Sequence, residues 1–260
     1  ELPGQMDLAP VELLYPEYKF HRVSNAATLQ VSDKQVLLPT DSLPVPAGLM
    51  SVQPRPQGTG FNKERKWRFI PLLEARDKSG EVCGTPACLL INRTGRLQRS
   101  CIATFALPPS ACDNAPVLGM VAELTKRLRQ GRFLCEGGAE FYTVWDGQDV
   151  TLGAHTIALT DAPAPELKVV LTVTDGKREV FRSEQPVRDG EARCQWRPGH
   201  FAADTYQVSC SLRDADGALL DWLSHPLLVW RPSPRPAFMT VEDGQFVREG
   251  KPWRAHGVNY

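Results

Sequence analysis

The chain has 260 residues, which at roughly 100–200 residues per domain reads as two domains. Its 30 Lys and Arg cancel 30 Asp and Glu, so no positive field exists to draw in nucleic acid or an anionic membrane. With 42% hydrophobic and 23% charged residues the composition is neither disordered nor membrane-like, and every apolar run falls short of the ~18 residues that span a bilayer.

The 22 prolines and 20 glycines favour short strands and turns. From Glu1 to about Gly60 apolar runs such as Val11–Tyr15, Ala27–Val31 and Val36–Leu38 alternate with prolines at 39, 44, 46, 54 and 56, which forbid a long helix. Next come Trp67–Ala75, Val82–Ile91 and Leu97–Leu107, separated by Asp77-Lys78-Ser79-Gly80 and Asn92-Arg93-Thr94-Gly95. These are expected to form three antiparallel strands with one face buried.

A single helix is expected near 115–130. Val117, Val121, Leu124 and Leu128 recur at helical spacing, Asp113 or Asn114 stands as cap, Pro116 in the first turn, and Gly131 as stop. Lys126, Arg127 and Arg129 complement the dipole at its C-terminal end.

From Phe133 the chain alternates strand and turn. Phe141–Trp145 is expected to turn at Asp146-Gly147 into Val150–Leu159; Leu167–Thr174 turns at Asp175-Gly176 into Arg178–Phe181, and Tyr206–Arg213 at Asp216-Gly217 into Ala218–Trp222. About seven short strands over about 100 residues fit an immunoglobulin-like β-sandwich. The fold class expected is mainly β: an N-terminal antiparallel β-rich domain with one helix over 1–132, then the sandwich over 133–231. Residues 232–260 begin in the Pro-rich linker around Arg231-Pro232-Ser233-Pro234-Arg235-Pro236.

Candidate chemistry is sparse. The five histidines, His21, His155, His200, His225 and His256, show no metal-ligand spacing. Cys83, Cys88, Cys101 and Cys112 lack the tight pairs of a zinc knuckle, so no metal and no cofactor is expected. Neither a G-x-S-x-G elbow nor a phosphate loop occurs, and Gly58-Thr59-Gly60 reads as a plain loop. Cys194 and Cys210 flank Arg197-Pro198-Gly199 and face each other if their strands are neighbours, as a disulfide or as two buried thiols; the seven cysteines leave one over in any pairing. Indoles can stack on pyranose faces. Among Trp67, Trp145, Trp196, Trp222, Trp230 and Trp253 most read as core, and Trp145 and Trp222 are the candidate carbohydrate-binding residues.

The tail has hairpin signals at Asp243-Gly244 and Glu249-Gly250, with a further strand from Trp253 toward Val258. Its Gly244, Phe246, Gly250, Lys251, Pro252, Gly257, Val258, Asn259 and Tyr260 resemble the hairpin that leads into the (β/α)8 barrel of many retaining glycoside hydrolases. Arg55-Pro56-Gln57-Gly58 and Trp67–Ala75 are similar to an accessory region of large bacterial glycosidases. The resemblance implies the non-catalytic accessory region of a multidomain glycoside hydrolase, partnered by a catalytic barrel of the same polypeptide, acting on poly- or oligosaccharide, and lying outside the cytoplasm, either periplasmic or secreted. The two catalytic carboxylates of such enzymes sit on later barrel strands, so no residue here is expected to be catalytic; Glu242 and Glu249 read as solvated turn charges. Two alternatives stay open: a carbohydrate-binding module using exposed aromatics, and sandwich domains of a surface or adhesion protein.

Overall fold

The computed structural model describes residues 19–39, 41–53, 59–95, 97–161, 166–176, 178–232 and 238–254. The run Val11–Tyr15, prolines 54 and 56, Arg55–Gly58, the centre of the Pro-rich linker, His256 and Gly257–Tyr260 lie outside them. The molecule is mainly β. It divides into Glu1–Val229 and Trp230–Tyr260; the expected junction at 132/133 falls inside the first unit, in a strand.

In the first unit β1 (Lys19–Arg22) pairs with β4 (Met50–Gln53) as a ribbon. β2 (Thr28–Val31), β3 (Ser42–Leu43), β5 (Trp67–Arg76), β6 (Val82–Asn92) and β7 (Ser100–Phe105) form an antiparallel sheet in the order β3-β2-β5-β6-β7. The meander of β5, β6 and β7 is therefore present. Its expected single buried face is corrected: Leu89 and Ile91 enter one core, while Cys88 and Leu90 pack on the opposite side with Val52 of β4. The β1–β4 ribbon covers the face that a simple meander would leave wet.

A short helix, α1 (Pro109–Cys112), which the sequence reading did not anticipate, precedes α2 (Ala115–Gln130). Asn114 occupies the cap of α2 without a side-chain bond, Pro116 lies in the first turn, and Gly131 ends the helix at φ +63°, a conformation glycine adopts without strain. The buried face is Val117, Met120 and Leu124. Val121, expected inside, is 40% exposed, because residue 120 continues the stripe that 117 and 124 define.

Beyond it, β8 (Arg132–Ala139), β10 (Val150–Ala158) and β13 (Glu191–Trp196) make one sheet, ordered β13-β10-β8. β9 (Thr143–Trp145), β11 (Lys168–Thr174), β12 (Glu179–Pro186), β14 (Thr205–Arg213) and β15 (Leu219–Trp230) make the other, ordered β12-β11-β14-β15-β9. Their shared core holds Leu152, Leu171, Val208, Leu212, Leu223 and Leu227, with Trp196 edge-on to Phe201 and Tyr206 at 5.3 and 5.6 Å. The hairpins at Asp175-Gly176 and Asp216-Gly217 form as expected. Asp146-Gly147 does not close a hairpin: it carries the chain from β9 in one sheet to β10 in the other. Likewise β13 and β14 belong to different sheets, so Cys194 and Cys210 are not on adjacent strands, and all seven cysteines are free thiols.

β8 joins the two halves of the unit. Leu134 enters the sandwich core, whereas Phe133 and Cys135 enter the core built on the first sheet and α2. A strand whose alternate side chains serve two cores is buried along its whole length.

The second unit contains a three-stranded sheet of its own: β16 (Met239–Glu242), β17 (Gln245–Arg248) and β18 (Lys251–Pro252). Asp243 and Gly244 both have positive φ, +48° and +76°, as a two-residue hairpin of this hand requires. Among the described residues no helix is long and apolar enough to cross a membrane.

Candidate functional site

Trp145 stands on β9, an edge strand of its sheet. Alternation puts Val144 in the core and leaves Phe141 55% and Trp145 59% exposed. The turn that follows is polar and ordered: Trp145 N–H donates to Gln148 Oε1 at 3.0 Å, and Asp146 accepts from Phe201 N–H and pairs with His200, both at 2.9 Å. On the other side Lys63 Nζ lies 5.5 Å from the Phe141 ring centroid and 5.1 Å from that of Tyr142. An open indole with fixed polar groups nearby is the chemistry that takes a sugar ring. Trp222 is placed differently. It is half-buried on β15, its carbonyl accepting Arg68 Nη2 at 2.8 Å. Leu228 N–H bonds to the Tyr142 carbonyl at 2.8 Å, so the start of β9 meets β15 six residues, about 20 Å, from Trp222. Of the remaining described indoles Trp196 alone is buried.

The densest polar chemistry lies inside the unit, at charges the sequence reading passed over. Arg68 of β5 grips Asp221 of β15 with two bonds, 2.5 and 3.2 Å, and donates also to Leu134 O at 2.8 Å. Asp221 accepts further from Leu134 N–H at 2.8 Å and Trp222 N–H at 2.7 Å. Glu136 of β8 has no solvent exposure. It accepts the backbone N–H groups of Lys63 and Arg65 and pairs with Arg93 at 3.4 Å. Engaged by donors from other parts of the chain, these two buried carboxylates hold elements together. The signal for them was present in the sequence: Arg68, Glu136 and Asp221 each interrupt an apolar strand.

Glu242 and Glu249 flank the hairpin turns and are exposed, as expected. Among the described residues no group of three or more His, Cys, Asp or Glu is arranged to hold a metal ion. Burial pushes the thiols of Cys88 and Cys135 up to about 12, and that of Cys210 up as well, which removes their nucleophilic form. A disulfide-exchange reagent at about pH 8 is therefore expected to leave these three unmodified in the native chain, and to titrate all seven once it is denatured. Fewer than seven under denaturant overturns the free-thiol assignment.

No protein-family model matches the chain, and no curated protein matches it. Among solved structures it is similar to the crystal structure of a DUF3823 family protein from Bacteroides ovatus, at 8% identity over 66% of this chain and 96% of that one, with a TM-score of 0.28. A likeness of that degree carries no argument about fold or function.

Proposed function

We propose that this chain is a non-catalytic, architectural region of a multidomain glycoside hydrolase, which lies outside the cytoplasm and carries its catalytic barrel on the same polypeptide. The observation that supports the reading is the hairpin β16–β17–β18. It is a separate sheet, and its cross-strand partners Val241 and Phe246 are 66% and 52% exposed. So small a sheet with an uncovered apolar face is marginal in water, and it bears the same Gly244, Phe246, Gly250, Lys251 and Pro252 that resemble the approach to a barrel. Reading the gene past Tyr260 tests this. The reading expects about 250 further residues of alternating strand and helix, glycosidase activity in the longer protein, and none in residues 1–260. Activity in 1–260, or an onward sequence without that alternation, overturns it.

The exposed Trp145, with its ordered polar turn, favours a second reading: a carbohydrate-binding module. Retention of residues 1–260 on an insoluble polysaccharide is then expected, with Trp145→Ala reducing it about tenfold or more. The same change should move stability by no more than about 0.5 kcal/mol, as for an exposed side chain. Failure of the wild type to be retained removes this reading and leaves the architectural one standing, while equal retention of wild type and Trp145→Ala removes Trp145 as the binding residue.

A further inference from the structure

We propose that His225 is an acid-sensitive lock, whose neutral ring holds the 59–65 segment on the edge of the sandwich and whose protonation releases it. β8 is the edge strand of its sheet, and an edge must find partners for its outward N–H and C=O groups. At Ala139 these partners come from other parts of the chain. Ala139 N–H donates to His225 Nε2 at 3.0 Å, and the Ala139 carbonyl accepts Phe61 N–H at 3.0 Å. One residue, through the two peptide groups that flank its Cα, thus links the imidazole to the 59–65 segment.

The hydrogen bonds fix the tautomer. Nε2 accepts, so the proton of the neutral ring is on Nδ1, which donates to the Pro226 carbonyl at 2.9 Å. A proton arriving from solvent must take the Nε2 lone pair. Ala139 N–H then faces an N–H and its bond is lost, in a ring pocket that is almost closed.

The surroundings do not welcome the new charge. On the segment Lys63 donates from Nζ to the Glu140 carbonyl, and Arg65 donates to the Tyr142 hydroxyl at 3.1 Å, while the Tyr142 ring stands edge-on to His225 at 5.1 Å. The carboxylates in reach are committed: Glu136 of β8 to the segment backbone and Arg93, Glu140 to Asn62 at 3.0 Å, and Asp221 on β15 to Arg68. His155 of β10 stacks on Phe61 at 5.0 Å. Burial, reinforced by Lys63, holds the His225 imidazolium below the usual histidine range, with the Pro226 carbonyl opposing. Since the folded value lies below the unfolded one, this contribution to stability is whole above about pH 6.5 and is lost as pH falls through the folded value.

Amide hydrogen exchange on residues 1–260, corrected for intrinsic rates, tests the lock between about pH 7.5 and about pH 5. Wild type should lose protection about tenfold or more at Phe61 and Ala139, relative to Leu171 on an interior strand of its sheet. His225→Gln keeps an acceptor near the Nε2 position and cannot titrate, so its protection should not step with pH; His155→Gln should keep the wild-type step. A step that persists in His225→Gln, or vanishes in His155→Gln instead, overturns the proposal. Ring-nitrogen NMR of the wild type gives an answer even where a variant fails to fold. Imidazolium formation at His225 should coincide with displacement of the Ala139 and Phe61 amide signals, and protonation that leaves both unmoved overturns it.

Discussion

Asp221→Ala is expected to lower the unfolding free energy by about 3–5 kcal/mol, the cost of leaving a buried charge without its partner. Arg68 would keep only two carbonyl acceptors, Leu134 O and Trp222 O, while the N–H groups of Leu134 and Trp222 lose their acceptor altogether. The variant strikes where β5, β8 and β15 meet, so loss should appear as one cooperative transition at lower urea concentration with an unchanged slope. Making the site apolar with Arg68→Met and Asp221→Leu together removes the stranded cation but still strands two backbone donors, so stability should recover only in part. An exposed pair supplies the contrast. Arg99 and Asp161 approach to 2.5 Å with the aspartate almost fully in solvent, and Asp161→Ala should change stability by no more than about 0.5 kcal/mol. Equal effects from the buried and exposed substitutions would remove the claim that the inner ionic seam ties the sheets together.

The features legible in the sequence are those decided by a few neighbouring residues. Asp175-Gly176, Asp216-Gly217 and Asp243-Gly244 each form the hairpin their residue types favour, and Ala115–Gln130 is a helix ended by Gly131. Asp146-Gly147 has the same two residue types yet crosses between sheets. A turn reverses the chain locally, whereas the sheet each strand joins is decided by partners far along the sequence, here β15 for β9 and β8 with β13 for β10. The same limit hid the second core face of β6, which is supplied by a ribbon whose strands precede it by many residues. Of the candidate indoles, alternation placed Trp145 outward; Trp222 also faces outward on β15, between buried Asp221 and Leu223, yet is half-buried. The inner charges were readable as anomalies, since Arg68, Glu136 and Asp221 sit within strands. Their pairing was not, because Arg68 and Asp221 are 153 positions apart.

Gly138→Ala is expected to cost about 3–5 kcal/mol, from two separable sources. Gly138 has φ +111°, a region closed to residues with a Cβ, and an added Cβ would lie 2.2 Å from His225 Nε2 and 2.6 Å from its Cδ2. The ring cannot retreat without breaking its bonds to Ala139 N–H and to the Pro226 carbonyl. His225→Ala alone should cost about 1–3 kcal/mol, since it orphans the Ala139 donor. Combined, the two substitutions should cost less than their sum by about 1 kcal/mol or more, because removing the ring removes the collision and leaves only the backbone strain. Urea melts of the four proteins at about pH 7.5, where the ring is neutral, measure that coupling free of its titration. Strict additivity would mean that the imidazole does not sit against Gly138, and the acid-sensitive lock would then lose the close contact between β8 and β15 on which it depends.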